Sequence, residues 1–392
     1  MRMTANIFAD RAGRLKGEAA FEILAKTKEL EAQGKNIIHF EIGEPDFDTP
    51  KNIVEKGKEA LNLGYTHYAT TQGYLPLREA ITKYVKKHKN IDTNPKEIVV
   101  TPGAKPAIFY TFLALVNPGD EVIYPDPGYP TYGNLIYFLG AVPVPIQIKE
   151  EKGFRLDIEE LKSKITNKTK LIVINSPANP TGGVLTPDDI DEIANAIKGK
   201  GIYVLSDEIY DRIVYSGEVK SIASIPELKD WTIVVDGFSK AYAMTGWRLG
   251  YGIMNEELAE KMSKLMVNSN ACVATFTQVA GVEALLGPQD EIDKMIEEFR
   301  RRRDLIVDGL NSIKGFKCLK PKGAFYVFPN ITGTGKSSKE LENYLLYEAG
   351  VSVLAGTGFG EVGEGYLRLS YANSIENIQI ALERIDKAMK SI

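Results

Sequence analysis

Val234-Val235-Asp236-Gly237-Phe238-Ser239-Lys240-Ala241-Tyr242-Ala243-Met244-Thr245-Gly246-Trp247-Arg248-Leu249-Gly250-Tyr251 is the stretch around which the chain is organised. The apolar run Thr232 to Val235 reads as a buried strand that opens into a turn at Gly237. Lys240 then stands among Phe238, Tyr242, Met244 and Trp247, with a second cation, Arg248, eight residues on. Such surroundings strip water from an ammonium, and desolvation lowers a lysine pKa towards the nucleophilic range. A surface lysine that snorkels its head into water is the ordinary alternative for any single lysine.

Outward from this stretch, strands and helices alternate from Ile98, the mark of a parallel sheet with crossovers. Strands are predicted at 97–101, 121–124, 142–147, 170–175, 202–206, 231–235 and 249–254, with the clearest helices at 104–116 and 186–198. Turns rich in Gly, Pro or acids close several of them: Thr101-Pro102-Gly103, Pro125-Asp126-Pro127-Gly128, Asn175-Ser176-Pro177 and Ser206-Asp207-Glu208. Open α/β sheets bind ligands beyond the carboxyl ends of their strands, so these turns and the Lys240 turn belong on one edge. Ahead of the sheet come a helix over 15–33, a strand over 37–42 closed by Gly43-Glu44-Pro45-Asp46-Phe47, and helices near 51–62 and 76–88. A long charged helix over 289–313, whose Arg300 to Arg303 read as a solvated face beside acidic neighbours, marks a change of pattern. The expected division is a large domain, 48–290, and a small α/β domain made of 1–47 and 291–392.

Hydrophobic residues at 44% and charged residues at 26% suit a globule with a sizeable core, and a net charge of -4 offers no footprint for nucleic acid or anionic membrane. The longest apolar run, Ala107 to Val116, is too short to span a bilayer. The first twenty residues carry Arg2, Asp10, Arg11, Arg14 and Lys16 without an apolar core, so a cytoplasmic location is expected. Two cysteines and three scattered histidines suggest neither a disulfide framework nor a metal motif. Two glycine-rich stretches mislead. Gly358-Phe359-Gly360-Glu361-Val362-Gly363 has dinucleotide-fingerprint spacing, but the alternating Tyr366 to Tyr371 follows where a helix must open. Gly333-Thr334-Gly335-Lys336-Ser337 looks like the end of a phosphate loop, yet its first glycine position holds Asn330, and it reads as a loop.

The pattern S-K-x(6)-W-R-x-G-Y resembles the cofactor-lysine segment of the class I/II aminotransferases, enzymes of fold type I that use pyridoxal 5'-phosphate. The resemblance runs from about residue 30 to the C-terminus, and is closest to bacterial and archaeal aspartate and aromatic aminotransferases. It implies a mostly parallel sheet sandwiched by helices, with Lys240 bound to the cofactor as an aldimine and Arg248 on its phosphate. Asn175-Ser176-Pro177-Ala178-Asn179-Pro180-Thr181-Gly182 is by itself a turn; the family motif makes Asn179 a contact of the cofactor 3'-oxygen and the substrate carboxylate. A lone Asp207 at a strand end is usually a cap, whereas the family places that acid against the pyridine nitrogen, with Tyr210 on the 3'-oxygen. Gly103-Ala104-Lys105 opens a helix whose free N–H groups suit an anion, and with Ser239 shares the phosphate. The family's frequent serine three residues before the lysine is replaced here by Gly237. Tyr129 matches the aromatic that stacks on the ring, and Tyr68 a tyrosine that reaches the neighbouring subunit's phosphate; core or surface tyrosine is an even alternative for each. Arg368 matches the arginine that grips the substrate α-carboxylate, against the alternative of a surface ion pair, and Gly43 lets backbone approach the same group.

What the resemblance implies is a homodimer with shared sites that performs ping-pong transamination between an amino acid and a 2-oxo acid. Lys240 then moves a proton between Cα and C4'. Aspartate is the favoured donor and 2-oxoglutarate/glutamate the shared pair; aromatic or alanine transamination, or a lyase or synthase on the same scaffold, are the alternatives. A pyridoxal-binding regulator needs a DNA-binding module for which a first strand at residue 37 leaves no expected room. Lys105 has two readings, as a phosphate ligand or as a reader of a distal substrate carboxylate at the pocket mouth, and the second is preferred because Arg248 and backbone N–H groups already serve the phosphate.

Overall fold

A computed structural model describes residues 8–391. Arg2 and the first part of the 1–47 segment lie outside the described residues. Seven strands form the main sheet in the order Ile98–Thr101, Gly250–Ile253, Thr232–Gly237, Tyr203–Asp207, Thr169–Asn175, Glu121–Asp126 and Val142–Gln147. Only Gly250–Ile253 runs against its neighbours, so the sheet is mostly parallel as expected. Strands covered on both faces read as continuous apolar runs, and here the alternation of side chains feeds two different cores. Val122, Leu171, Val173 and Leu205 face one, while Ile123, Ile172, Ile174 and Val204 face the other. The first core is covered by helices Ala104–Leu115 and Glu256–Ser269, the second by Ile158–Lys164 and Pro187–Ile197.

A third core gathers Ile38 and Phe40 with Phe299, Ile306, Leu310, Val351, Leu369 and Ile378. It sits between helices Asp290–Ser312 and Ile375–Met389 and two small sheets, one antiparallel (Leu354–Ala355, Leu367–Ser370, Tyr326–Val327) and one parallel (Ile38–His39 with Val351–Ser352).

Several local expectations change. The predicted 37–42 strand pairs only over Ile38–His39, because the chain turns towards the sheet edge at Glu41 to Gly43. The first helix begins at Ala19, after Gly17 and the N-cap Glu18, and Asp10–Arg14 is a separate turn of 3₁₀ helix. The four-arginine run is not one solvated face. Arg302 and Arg303 are each only 6% exposed. Arg302 pairs with Asp46 at 2.6 Å and lies 4.6 Å from the Phe47 ring centre, and Arg303 lies 4.6 Å from that of Tyr215. Guanidinium planes stack on aromatic faces, which is how two cations enter this core. The fingerprint-like glycines form two 3₁₀ turns, Gly356–Phe359 and Glu361–Gly363, and Ser337 of the phosphate-loop look-alike caps the short helix Ser338–Tyr344. Among the described residues no helix is long and apolar enough to cross a membrane.

Candidate active site

The carboxyl ends of the strands meet the Gly43 loop and the third core around a cavity of about 340 Å³. Lys240 follows the Thr232–Gly237 strand and opens onto this cavity. Its ammonium donates to the Gly43 carbonyl at 2.5 Å and lies 5.8 and 6.0 Å from the ring centres of Phe325 and Tyr210. Enclosure by protein lowers its pKa to about 8; Glu44 opposes the shift, while Arg368, Arg248 and Lys105 add to it. A neutral amine is the nucleophilic form. Gly237, where a serine is common in the family, lies in the strand facing Gly250. A Cβ there would meet Gly250 Cα at 3.0 Å and the Leu249 carbonyl at 3.1 Å, so glycine suits the close approach of these two strands.

Asp207 ends the neighbouring Tyr203–Asp207 strand, 4% exposed. It accepts from the Tyr132 hydroxyl at 2.6 Å and the Ile209 N–H at 3.3 Å, and burial raises its pKa to about 6. Three nearby acids point elsewhere: Lys89, itself buried, pairs with Glu208 at 3.0 Å, Asp211 at 2.9 Å and Asp236 at 2.7 Å. That cluster leaves Asp207 as the acid of the group that lines the cavity. Asn175 donates through Nδ2 to the Asp207 backbone carbonyl at 3.1 Å and accepts from the Asn179 N–H at 2.9 Å, which ties the Asn179 turn to the end of the Asp207 strand. The Tyr210 hydroxyl meets that of Tyr326 at 2.7 Å.

Arg368 comes from the small antiparallel sheet, 3% exposed, with its guanidinium carbon 4.7 Å from the Tyr326 ring centre and 5.2 Å from that of Phe359. One Nη donates to the Glu41 carbonyl while Nε has no partner, and the buried Oδ1 of Asn179 has none either. Buried polar atoms without partners are rare in a finished interior, so these two sit where a polar guest belongs. Gly43 has a further reason to be glycine: a Cβ would stand 2.0 Å from the Tyr326 hydroxyl.

On the other side Arg248, at φ +54°, donates to the carbonyls of Thr245 at 2.8 Å and Pro102 at 3.2 Å. It packs against Gly103 at the start of helix Ala104–Leu115, where free N–H groups and the macrodipole favour an anion. Ala104 and Ser239 line the cavity between these groups, and so does Tyr129, edge-on to Tyr132 at 5.6 Å. Lys105 stands at the mouth, half-exposed, 5.4 Å from the Tyr129 ring centre and paired with Glu18 at 2.6 Å. Tyr68 is not brought to this cavity; it is 90% exposed in a separate surface groove with Tyr65 and His67.

An enclosed lysine, a buried acid, an exposed arginine fork beside a helix start and a further arginine that is buried are what a phosphorylated, ring-nitrogen aldehyde needs. The residues therefore fit pyridoxal 5'-phosphate, and fold and site together define a fold type I pyridoxal-phosphate enzyme. The family model described as aminotransferase class I and II matches residues 35–385. An aspartate aminotransferase of Pyrococcus abyssi is 43% identical over 94% of this chain and 95% of its own length. An aromatic-amino-acid aminotransferase of Thermococcus litoralis is also 43% identical, over 92% and 93%. The solved aspartate aminotransferase of Thermus thermophilus with maleate superposes with a TM-score of 0.94 at 37% identity, covering 98% of this chain and all of that one. The chain belongs to the class I and II aminotransferases, and its cofactor is pyridoxal 5'-phosphate.

Some cavity residues escape a reading of the sequence. Tyr326 lies in Ala324-Phe325-Tyr326-Val327, which has the look of plain core, and Glu18 is one acid among many on a charged segment. Tyr132, which bonds Asp207 from behind the cavity wall, lies three residues after Tyr129, the N-cap of its helix.

Proposed function

We propose that the enzyme moves the amino group of an L-amino acid, with aspartate favoured, to 2-oxoglutarate in two half-reactions that share one pocket. The observation that carries this is the meeting of Lys240, Asp207, Asn179 and Arg368 around a single cavity. When bound, the cofactor supplies an electron sink for the pair left at the substrate Cα. Asp207, ionised by a cationic ring nitrogen beside it and steadied by Tyr132, would hold that nitrogen protonated. Arg248, Ser239 and the Gly103–Lys105 helix start would hold the phosphate; Tyr129 would cover the ring, and Tyr210 and Asn179 would meet its 3'-oxygen. Arg368 would take the substrate α-carboxylate through its fork, with Asn179 beside it and the Gly43 backbone at its edge. Lys240 would hold the cofactor at rest and, once released, carry the proton on and off Cα, a task suited to an amine with a pKa of about 8.

The division into 48–290 and 1–47 plus 291–392 is supported by the separation of the third core from the two sheet cores. A homodimer in the cytoplasm completes the proposal, with the exposed Tyr68 reaching a partner's phosphate. Steady-state rates with a panel of amino donors and 2-oxoglutarate test the reading. Aspartate turnover with parallel double-reciprocal lines supports it, and release of pyruvate or ammonia without 2-oxo acid acceptor would assign a lyase instead. Donor ranking separates aspartate from the aromatic and alanine alternatives.

For Lys105 the proposed role is the distal carboxylate of acidic substrates. It stands at the mouth beside Tyr129, whereas Arg248 packs against the phosphate-side glycine.

A further inference from the structure

A transaminase that works by two half-reactions must admit side chains of different charge to one pocket. 2-Oxoglutarate brings a second carboxylate, while an aromatic or aliphatic donor brings none. A lysine that reads the second carboxylate then faces an uncharged side chain in one half-reaction of each such turnover, and a partly exposed cation there turns to water or to a neighbouring acid.

The first helix answers this. Glu18, Ala19, Ala20 and Phe21 form one wall of the cavity mouth, although they precede the sheet by most of a hundred residues. Glu18 is the N-cap of the helix, but its side chain makes no capping bond. It reaches across instead to Lys105, 2.6 Å away, and the Thr131 hydroxyl donates to the same oxygen at 3.4 Å. The Lys105 and Glu18 side chains are 45% and 23% exposed, so each can swing to water without burying a bare charge. Phe21, 61% exposed on the same wall, leaves an apolar side next to the pair.

We propose that Glu18 is a specificity-determining residue: a displaceable counter-ion that occupies Lys105 whenever the bound substrate has no second carboxylate, and gives way when one arrives. This rests on the reading of Lys105 as the distal-carboxylate reader. Glu18 competes with dicarboxylates and is indifferent to monocarboxylates, so the enzyme gives up part of its preference for acidic substrates in exchange for breadth. The competition is modest because a partly exposed ion pair is weak.

Holoenzyme variants Glu18→Gln, Lys105→Ala and the double variant test this by calorimetric titration with maleate and 3-phenylpropionate, alongside kcat/KM for aspartate, glutamate, phenylalanine and alanine. Glu18→Gln is expected to tighten maleate by about threefold to tenfold and to raise kcat/KM for aspartate and glutamate by a like factor. 3-Phenylpropionate, phenylalanine and alanine should stay within about twofold. In the Lys105→Ala background the Glu18→Gln gain should vanish. An equal effect of Glu18→Gln on both acids would overturn the proposal, as would a gain for maleate that persists without Lys105. Failure of the underlying reading looks different: Lys105→Ala would weaken all substrates alike and let the cofactor leave on dialysis.

Discussion

Lys240 is held neutral more easily than a lysine in water because enclosure by protein strips water from its ammonium, with Arg368, Arg248 and Lys105 adding to the effect. With a pKa of about 8, roughly a tenth of the apoprotein has the neutral amine at pH 7. The rate at which apoprotein captures added cofactor should therefore rise about tenfold between pH 7 and 9 and then level off. Continued rise through pH 10 would mean an unshifted lysine. Borohydride should fix the pyridoxyl group on Lys240 alone, as peptide mapping will read; a label on Lys105 or Lys264 would refute the assignment. Arg368 makes a second test. Replacement by lysine keeps the charge and loses the fork, so kcat/KM should fall about 10- to 150-fold, the worth of one charge-assisted hydrogen bond. All donors should share that loss, since all present the same α-carboxylate. Motif-bearing residues were legible in the sequence because each sits at a turn with punctuation on both sides, Asn179 within N-P-T-G and Asp207 at the end of an apolar run. Tyr326 and Glu18 were not legible, because what makes them part of the site is contact with residues far away in the chain.

At the scale of elements, the seven sheet strands and the helices near 51–62, 76–88, 104–116, 186–198 and 289–313 could be read because period and punctuation agreed there. The region of the third core was harder. Its strands are two to four residues long, too short for alternation to count, and the Arg302 and Arg303 side chains are buried by aromatic stacking that charge patterning does not register. The start of helix Ala104–Leu115 gives a direct test of how an element shapes the site. Gly103 has φ +93° and ψ 169°, a region open essentially to glycine alone, and a Cβ would stand 2.4 Å from Arg248 Nη2. Gly103→Ala should cost about 1–3 kcal/mol of stability and push Arg248 off its carbonyl partners. A lower melting temperature together with faster cofactor loss on dialysis is the expected pair of results; a change in melting alone would separate the glycine from the phosphate site.

At the scale of the whole molecule, sedimentation should find a dimer, and Tyr68→Phe should leave that dimer intact while it loosens the cofactor, since only the hydroxyl is removed. Unchanged retention would take Tyr68 out of the partner's site. The parallel pairing of Ile38 with Val351, and the cavity that draws on Glu18 as well as Arg368, set a further consequence. Contacts between such distant parts of a chain form late, because a long loop must close before they give anything back. A ribosome that has made the entire seven-stranded sheet has still not delivered the Val351 strand or Arg368. A polypeptide stopped after residue 350 should therefore keep Lys240 and Asp207 yet stay colourless with added cofactor, as absorbance will show. In a cell, the yellow of the bound cofactor would then mark chains whose synthesis has passed the Val351 strand and Arg368.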